Sequence, residues 1–529
     1  MDVTLEKLVY RGPKVQRGGA MPRESLRQKD RGEVKTAGPH SAGLCFSLGR
    51  GCLRGPFFVC PQRREFMENF LEMFTKAERA VNGFVWGPIM LALLVGTGVF
   101  LTFRTGWVQV RWFGYIMKNT VGSLFSKSGQ KDHGSNLSPF QAVTTALAGT
   151  VGTGNIAGVT GAIFVGGPGA VFWMWVSAFF GMCTKYAEIA LALKFRDTGA
   201  DGVHKGGPMY YIENGLGKSW KPLAVIFAIL GGLASFGIGN IAQSSEIAGA
   251  MKGLFGLDPL VSGIALTVLV AVVVIGGVKR IGQVTSLLVP FMSVFYVAAG
   301  IVVILMRLAD VPGVLAHIFT SAFSFEAVGG GVFGYAIMVA MKNGFARGVF
   351  SNEAGLGSAP IAHAASSTEE PAEQAIWGVF EVFFDTIVIC SITAFAVLLS
   401  GFELGEAALA TFGTKGSAAV AAFNSILPGT LGGTIIQASL VFFALSTILS
   451  WSYYGERCWG YLSGDNKIVT SIYKIIFVLF CIVGATGSGQ LMWDVSDTLN
   501  GAMAIPNLIA LLLLSGTVAS ITKEYFKNK

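Results

Sequence analysis

Ala148-Gly149-Thr150-Val151-Gly152-Thr153-Gly154-Asn155-Ile156-Ala157-Gly158 is the stretch on which the fold turns. It lies inside an apolar run from about Pro139 to Val165. Crossing a bilayer takes roughly 20 apolar residues, so the run is long enough to span one. Its middle resists helix all the same. Gly149, Thr150, Gly152, Thr153 and Gly154 crowd together there, and a glycine inside a helix costs about 1 kcal/mol relative to alanine. In lipid an unwound backbone is tolerated only where it is buried in protein or lines a cavity. The stretch therefore predicts a broken membrane helix, one half ending near Gly149 and the other starting near Ile156. Such a break offers carbonyls that can hold a cation and N–H groups that can hold a carboxylate. The alternative is a glycine face for close packing of a neighbouring helix.

Around this stretch the chain reads as a membrane protein. Its 529 residues are 52% hydrophobic and 13% charged, with a mean hydropathy of +0.59. Soluble domains carry about a quarter charged residues. The fold class expected is all-α, a polytopic membrane protein of about eleven transmembrane helices. The seven cysteines are scattered with no CxxC pair, so neither a disulfide framework nor a metal site follows. His40, His133, His204, His317 and His363 fall in loops or at span ends, and HExxH and GxSxG are absent. Gly217-Lys218-Ser219 resembles the end of a P-loop, but Ile212 stands where the first glycine is required. The sequence thus argues against ATP-driven transport within this chain, and the histidines are wrongly placed for a membrane-embedded enzyme.

Residues 1–66 differ from the rest. They hold thirteen Lys/Arg and six Asp/Glu, a net of +7 out of the chain's +8. Cys45, Cys52 and Cys60 lie among them, and Arg50 and Arg54 interrupt any signal-like apolar patch. This segment reads as a disordered extension or one translated from an upstream start chosen in error, with Met67 the expected initiator. From Met67 the organisation is a first transmembrane helix and loop (67–138), a first repeat (139–306), a second repeat (331–521) and a short tail (522–529). Eleven spans are expected at about 84–103, 139–165, 169–193, 222–249, 259–277, 283–306, 331–360, 375–400, 431–452, 469–487 and 500–521. Residues 402–430 read as short surface helices or a re-entrant piece.

Loop charge sets the orientation. Seventeen Lys/Arg, among them Arg104, Lys118, Arg196, Lys218 and Arg280, follow the odd-numbered spans or form the tail; Lys252, Arg307 and Lys415 are alone in the alternate loops. The first set is expected in the cytoplasm, with the C-terminus inside and the start of span one outside, in a plasma membrane and, for a bacterial chain, the inner one.

Span seven repeats the pattern of span two. An apolar half, Gly331–Met341, is followed by Lys342-Asn343-Gly344-Phe345-Ala346-Arg347-Gly348 and by a second half, Val349–Pro360. The expected break is at 342–348. The two breaks lie five spans apart, and an odd repeat inverts topology. Spans 2–6 and 7–11 thus read as a 5+5 inverted repeat with discontinuous helices at spans two and seven, the arrangement that places a site at the membrane centre and moves by alternating access. A channel would lack this pairing.

Thr150–Gly158, Arg347-Gly-Val-Phe-Ser-Asn-Glu-Ala-Gly-Leu-Gly-Ser-Ala-Pro-Ile-Ala-His363, Gly206-Gly-Pro-Met-Tyr-Tyr-Ile-Glu-Asn-Gly-Leu-Gly217 and Ser450-Trp-Ser-Tyr-Tyr-Gly-Glu456 resemble the signatures of the alanine or glycine:cation symporter family. The similarity runs from about Phe70 to the C-terminus. It implies a leucine-transporter-type fold and sodium-coupled, in some members proton-coupled, uptake of alanine or glycine. Sodium is then a co-transported ion rather than a cofactor. The partners are the amino acid, the ion and the lipid bilayer, with no nucleic acid and no obligate protein.

For the substrate, Thr150, Thr153, Gly154 and Asn155 are the candidates on span two, with the Thr153 and Gly154 N–H groups facing the carboxylate. Gly344, Phe350, Ser351 and Asn352 are those on span seven. Phe236 and Gln243, seven apart on span four, share a face and with Trp451 wall a small pocket. The resemblance further implies that the carbonyls of Ala148 and Val151, with the hydroxyls of Ser446 and Thr447, hold sodium. The alternative for the hydroxyls is back-bonding to the preceding turn. Asp385, four residues after Glu381, is a further ion candidate, equally suited to a structural hydrogen-bond role. Lys342, Arg347 and Glu353 read as cavity-facing charges or as an ion-pair network at the cytoplasmic end, and Lys185 with Glu188 as an i,i+3 pair near the inner surface.

Overall fold

Long apolar runs become helices because a helix satisfies every backbone N–H and C=O within the segment, as lipid requires. The computed structural model describes residues 61–124, 136–199, 202–323, 335–487, 490–527 and 529, and they are helical almost throughout. The one sheet among them is a hairpin pairing Asp197–Thr198 antiparallel with His204–Lys205. Residues 1–60 lie outside the described ones, and with them nearly all of the basic extension. A helix, Pro61–Val85, runs across Met67, where the composition changes.

The helices map onto the expected spans. Span one is Pro88–Arg104, span three Gly169–Lys194, span six Gly277–Met306, span nine Leu431–Leu462 and span ten Lys467–Thr486. Span two is a bent pair, Pro139–Thr150 and Gly154–Gly166, with an angle of 46° between the halves. Its entry is fixed by a capping box in which Ser138 accepts from the Gln141 N–H and the Gln141 side chain accepts from the Ser138 N–H. Span four is Lys221–Phe236 and Ala242–Phe255 joined by a π-helical turn, Gly237–Ile241. Span eight is Pro371–Val382, a π-helical Phe383–Cys390 and Ser391–Leu399. Span eleven is Gln490–Leu513. The 402–430 region holds the short helices Glu406–Thr411 and Lys415–Ile426. Among the described residues, eight helices are long and apolar enough to cross a membrane, nine when the bent pair counts as one. Span five, Pro259–Val274 at 16 residues, and span seven are not in that set.

Span seven corrects the expectation most. The helix Tyr335–Asn352 runs straight through the expected break at 342–348. The chain unwinds later, at Glu353–Ser358, and resumes as the helix Ala359–Ala364. Glu353, Gly355 and Gly357 take positive φ there, +56°, +93° and +84°, conformations that no helix contains. Gly344 serves packing instead. A Cβ on it would lie 2.5 Å from the Ala170 carbonyl oxygen and 2.6 Å from the Trp173 Cβ. A Cβ on Gly348 would lie 2.9 Å from the Ser177 Cβ. These glycines let span seven press against span three, as small residues do between membrane helices.

The two broken spans are also tied at their ends. The Leu137 N–H donates to the Ala365 carbonyl at 2.9 Å, and the Ser367 N–H donates to the Leu137 carbonyl at 2.8 Å. The start of span two and the end of span seven are thus held side by side.

Gly344→Val overpacks the crossing of spans three and seven, which typically costs about 1–3 kcal/mol. The expected result is a clear drop in the thermal unfolding midpoint of the detergent-solubilised protein. An unchanged midpoint would contradict the close crossing.

Candidate functional site

The first break is short and fully buried. Val151 leaves the helix with φ −77° and ψ 90°, and the chain re-enters through a π-helical turn, Gly154–Gly158. Asn155 organises it. Its Oδ1 accepts from the Gly152 N–H at 2.9 Å, and its own N–H donates to the Gly152 carbonyl at 3.1 Å. Its Nδ2 donates to Asp385 Oδ1 at 2.6 Å. The Asn155 carbonyl in turn accepts from the Thr393 hydroxyl at 2.7 Å. Asn155 therefore spends its side chain on the geometry of the break rather than presenting it to a ligand.

Asp385 connects spans two, seven and eight. While Oδ1 takes Asn155 of span two, Oδ2 accepts from Ser351 of span seven and from Thr386 of span eight, each at 2.8 Å. Asn352 donates to Thr386 Oγ1 at 3.1 Å. All these side chains are essentially inaccessible to solvent. The π-helical turn of span eight sets Asp385 between the two broken helices.

Span nine lies along the other side of the first break, with residues spaced three and four apart facing it. Ser450 donates to the Thr145 carbonyl, and the Ser446 hydroxyl lies 3.4 Å from the Ala148 carbonyl oxygen. Thr447 Oγ1 lies 2.6 Å from where a Cβ on Gly152 would stand, and Tyr454 Oη 2.8 Å from that of Gly149. Both Ser446 and Thr447 donate to the Phe443 carbonyl, at 2.8 and 2.9 Å. Their protons are thus used within span nine, and their lone pairs remain to act as acceptors. Thr150 similarly bonds back to the carbonyls of Ala146 and Leu147.

The remaining candidates divide. Thr153 donates to Gln243 Oε1 at 3.1 Å, which brings span four to the break. The Phe350 ring lies 3.4 Å from where a Cβ on Gly154 would stand and so covers it. Trp451 is buried with its Cβ and Cγ against Gly239 of span four. Phe236 and Gly344 are not in the site. Phe236 packs on Tyr473, Phe477 and Phe480 of span ten. The π-helical turn at Gly237–Ile241 inserts an extra residue between Phe236 and Gln243, so the seven-residue spacing no longer puts them on one face. Gly344 sits at the helix crossing already described.

Several charges were misplaced by the sequence. Lys185 and Glu188 are fully buried and reach in different directions. Lys185 Nζ lies 3.9 Å from Glu381 Oε2 on span eight. Glu381 Oε1 lies 2.6 Å from His363 Nε2, and Gln374 closes the row at 2.9 Å from His363 Nδ1. Nothing in the periodicity of single spans reveals this row; its only trace was charge inside apolar runs. Arg347 lies against span two. Its guanidinium lies 4.5 Å over the Phe350 ring and against Gly158 of the second half of span two.

Comparison with known proteins agrees with this architecture. Residues 71–529 match the model of the sodium:alanine symporter family. A protein of Methanococcus maripaludis named sodium/alanine symporter AgcS is 49% identical over 454 residues, covering 85% of this chain and 97% of that protein. A Bacillus subtilis protein named as a probable sodium/glutamine symporter, GlnT, is 37% identical over 85% of this chain and 90% of its own length. Among solved structures, that of MhsT in complex with L-phenylalanine superposes with a TM-score of 0.52 at 15% identity, covering 74% of this chain and 99% of that one. The fold is the leucine-transporter type.

Asp385→Asn replaces an acceptor-only group by one that must also turn donors toward Asn155 or Ser351. Hydrogen bonds to charged groups are worth about 1.5–3 kcal/mol each, so amino-acid uptake per inserted molecule should fall at least about tenfold. Thr393→Val, which removes one neutral bond, should cost about a few-fold. Radiolabelled uptake normalised to protein in the membrane checks both, and full activity of Asp385→Asn would remove the bridge from the account.

Proposed function

The chain belongs to the sodium:alanine symporter family, and from that premise we propose that it carries alanine or glycine into the cell together with sodium. The observation carrying this reading is the enclosure of the first break. Thr447 lies against Gly152 and Phe350 against Gly154, so side chains of spans nine and seven close on the unwound backbone, which suits a small substrate. The carboxylate is bound by the Thr153 and Gly154 N–H groups at the positive end of the second half-helix. Gln243 steadies Thr153, and Ser351, Asn352 and Trp451 complete the walls. Sodium, a hard cation that takes oxygen ligands, sits among the carbonyls of Ala148 and Val151 and the lone pairs of Ser446 and Thr447. Asp385 is the crosslink that keeps both breaks in register and is not a ligand.

Alternating access is supported by an asymmetry of exposure. Arg347, Glu246 and Asp497, on spans seven, four and eleven, are partly exposed. Lys185, Glu188 and Glu381 at the opposite end are completely buried. With the loop charges placing that end in the cytoplasm, this form is closed inward, with Phe350 and Arg347 as the outer cover of the site. The name of the archaeal relative favours alanine.

Reconstituted into proteoliposomes, the protein should accumulate labelled alanine or glycine when a sodium gradient points inward and not when it is absent. Uptake indifferent to sodium would overturn the coupling. Thr447→Val keeps the shape and removes one oxygen, so the sodium concentration for half-maximal uptake should rise about tenfold, equivalent to about 1.4 kcal/mol. An unchanged sodium dependence would remove Thr447 from the ion site. Gly154→Leu should abolish uptake while the protein still inserts.

A further inference from the structure

The cytoplasmic motif Gly206-Gly207-Pro208-Met209-Tyr210-Tyr211 has no part in the site described so far, yet it packs directly on the second break. Pro208 Cγ lies 2.5 Å from where a Cβ on Gly357 would stand. Gly207, at φ +123°, lies against Ile361, and Gly206 against Ala364, both on the helix that follows the break. From this motif a row of buried hydrogen bonds runs inward. Tyr211 donates its hydroxyl proton to Asn507 Oδ1 on span eleven. Asn507 Nδ2 donates to Glu188 Oε1 on span three at 2.6 Å and to the Gly355 carbonyl at 2.9 Å. Glu188 Oε1 also accepts from the N–H groups of Gly355 and Gly357, each at 3.1 Å. Tyr211, Asn507 and Glu188 are all fully buried.

The unwound segment Glu353–Ser358 thus forms a nest of backbone N–H groups, of the kind that binds anions. Here the anion is a side chain of the protein itself. Glu188 Oε2 is buried with no hydrogen-bond partner, so the carboxylate is placed for the nest and not for its own full satisfaction. Without an acceptor at that point, the two glycine N–H groups would be orphaned in the interior, a cost that closes such a break.

We infer that Glu188, aimed by Tyr211 through Asn507, is the positioning residue of the second break: it holds Glu353–Ser358 unwound in the geometry from which Ser351 and Asn352 reach the site. The inference rests on the reading of the central site given above. It makes the cytoplasmic motif a determinant of substrate affinity from the far side of the break. Sodium affinity is left to the first break and span nine, which the row does not touch.

The test is a graded series in the full-length protein, Tyr211→Phe, Asn507→Ala and Glu188→Gln, reconstituted in proteoliposomes. The half-saturating amino-acid concentration should rise in that order, by about twofold, about fivefold and about tenfold or more, as successively stronger buried bonds are lost. The half-saturating sodium concentration at saturating amino acid should stay within about twofold of wild type. Three variants with wild-type half-saturation for the amino acid, whatever their maximal rates, would overturn the inference and leave the row as structural support alone. Should Glu188→Gln fail to fold, Tyr211→Phe, which removes a single hydroxyl, decides by the same criterion. If the wild-type protein proves to carry a different amino acid, the series is read on that one, and only the substrate assignment falls.

Discussion

The carboxylate of Asp385 is the point on which the central architecture depends. Two helices broken inside a membrane each expose backbone that lipid cannot solvate. One buried acid, held by the π-helical turn of span eight, accepts from Asn155 at the first break and from Ser351 just before the second. Removing the acid would leave donors on both spans without an acceptor in a medium where each orphan is costly. The bridge therefore ties the first break to the residues just before the second.

The same principle repeats outward from that bridge. Asn155 closes the first break on itself through Gly152, and Glu188 satisfies the second through Gly355 and Gly357. His363 and Lys185 share Glu381. In each case a polar side chain, from the same span or a neighbouring one, takes the place that water would hold in a soluble protein. Arg347 is partly exposed, whereas Lys185 is fully buried.

Much of this was legible in the sequence, because long apolar runs and clustered glycines speak directly through helix propensity and membrane thickness. The first break follows from those signals, whereas the hydroxyl pair of span nine is marked by the family resemblance and not by propensity. The second break was placed some ten residues early because Lys342-Asn343-Gly344 carries the composition of a break. Gly344 is there for contact with span three, while Gly355 and Gly357 carry the positive φ. Phe236 was assigned to the site by a spacing that a π-helical turn invalidates, and periodicity cannot foresee an inserted residue. The roles of Asp385, Glu188 and His363 depend on partners 18 to 319 residues away in the chain, which no local pattern encodes.

The most direct measurement of the central claim is an experimental density map of the protein saturated with sodium and alanine. The account predicts the amino-acid carboxylate against the Thr153–Gly154 backbone, beneath Phe350, and a separate ion peak between Ala148, Val151 and the Ser446–Thr447 hydroxyls. The Asp385 carboxylate should be bonded to Asn155 and Ser351 in the same map. An amino acid bound elsewhere, or a span two that runs as continuous helix through Val151–Thr153, would contradict it.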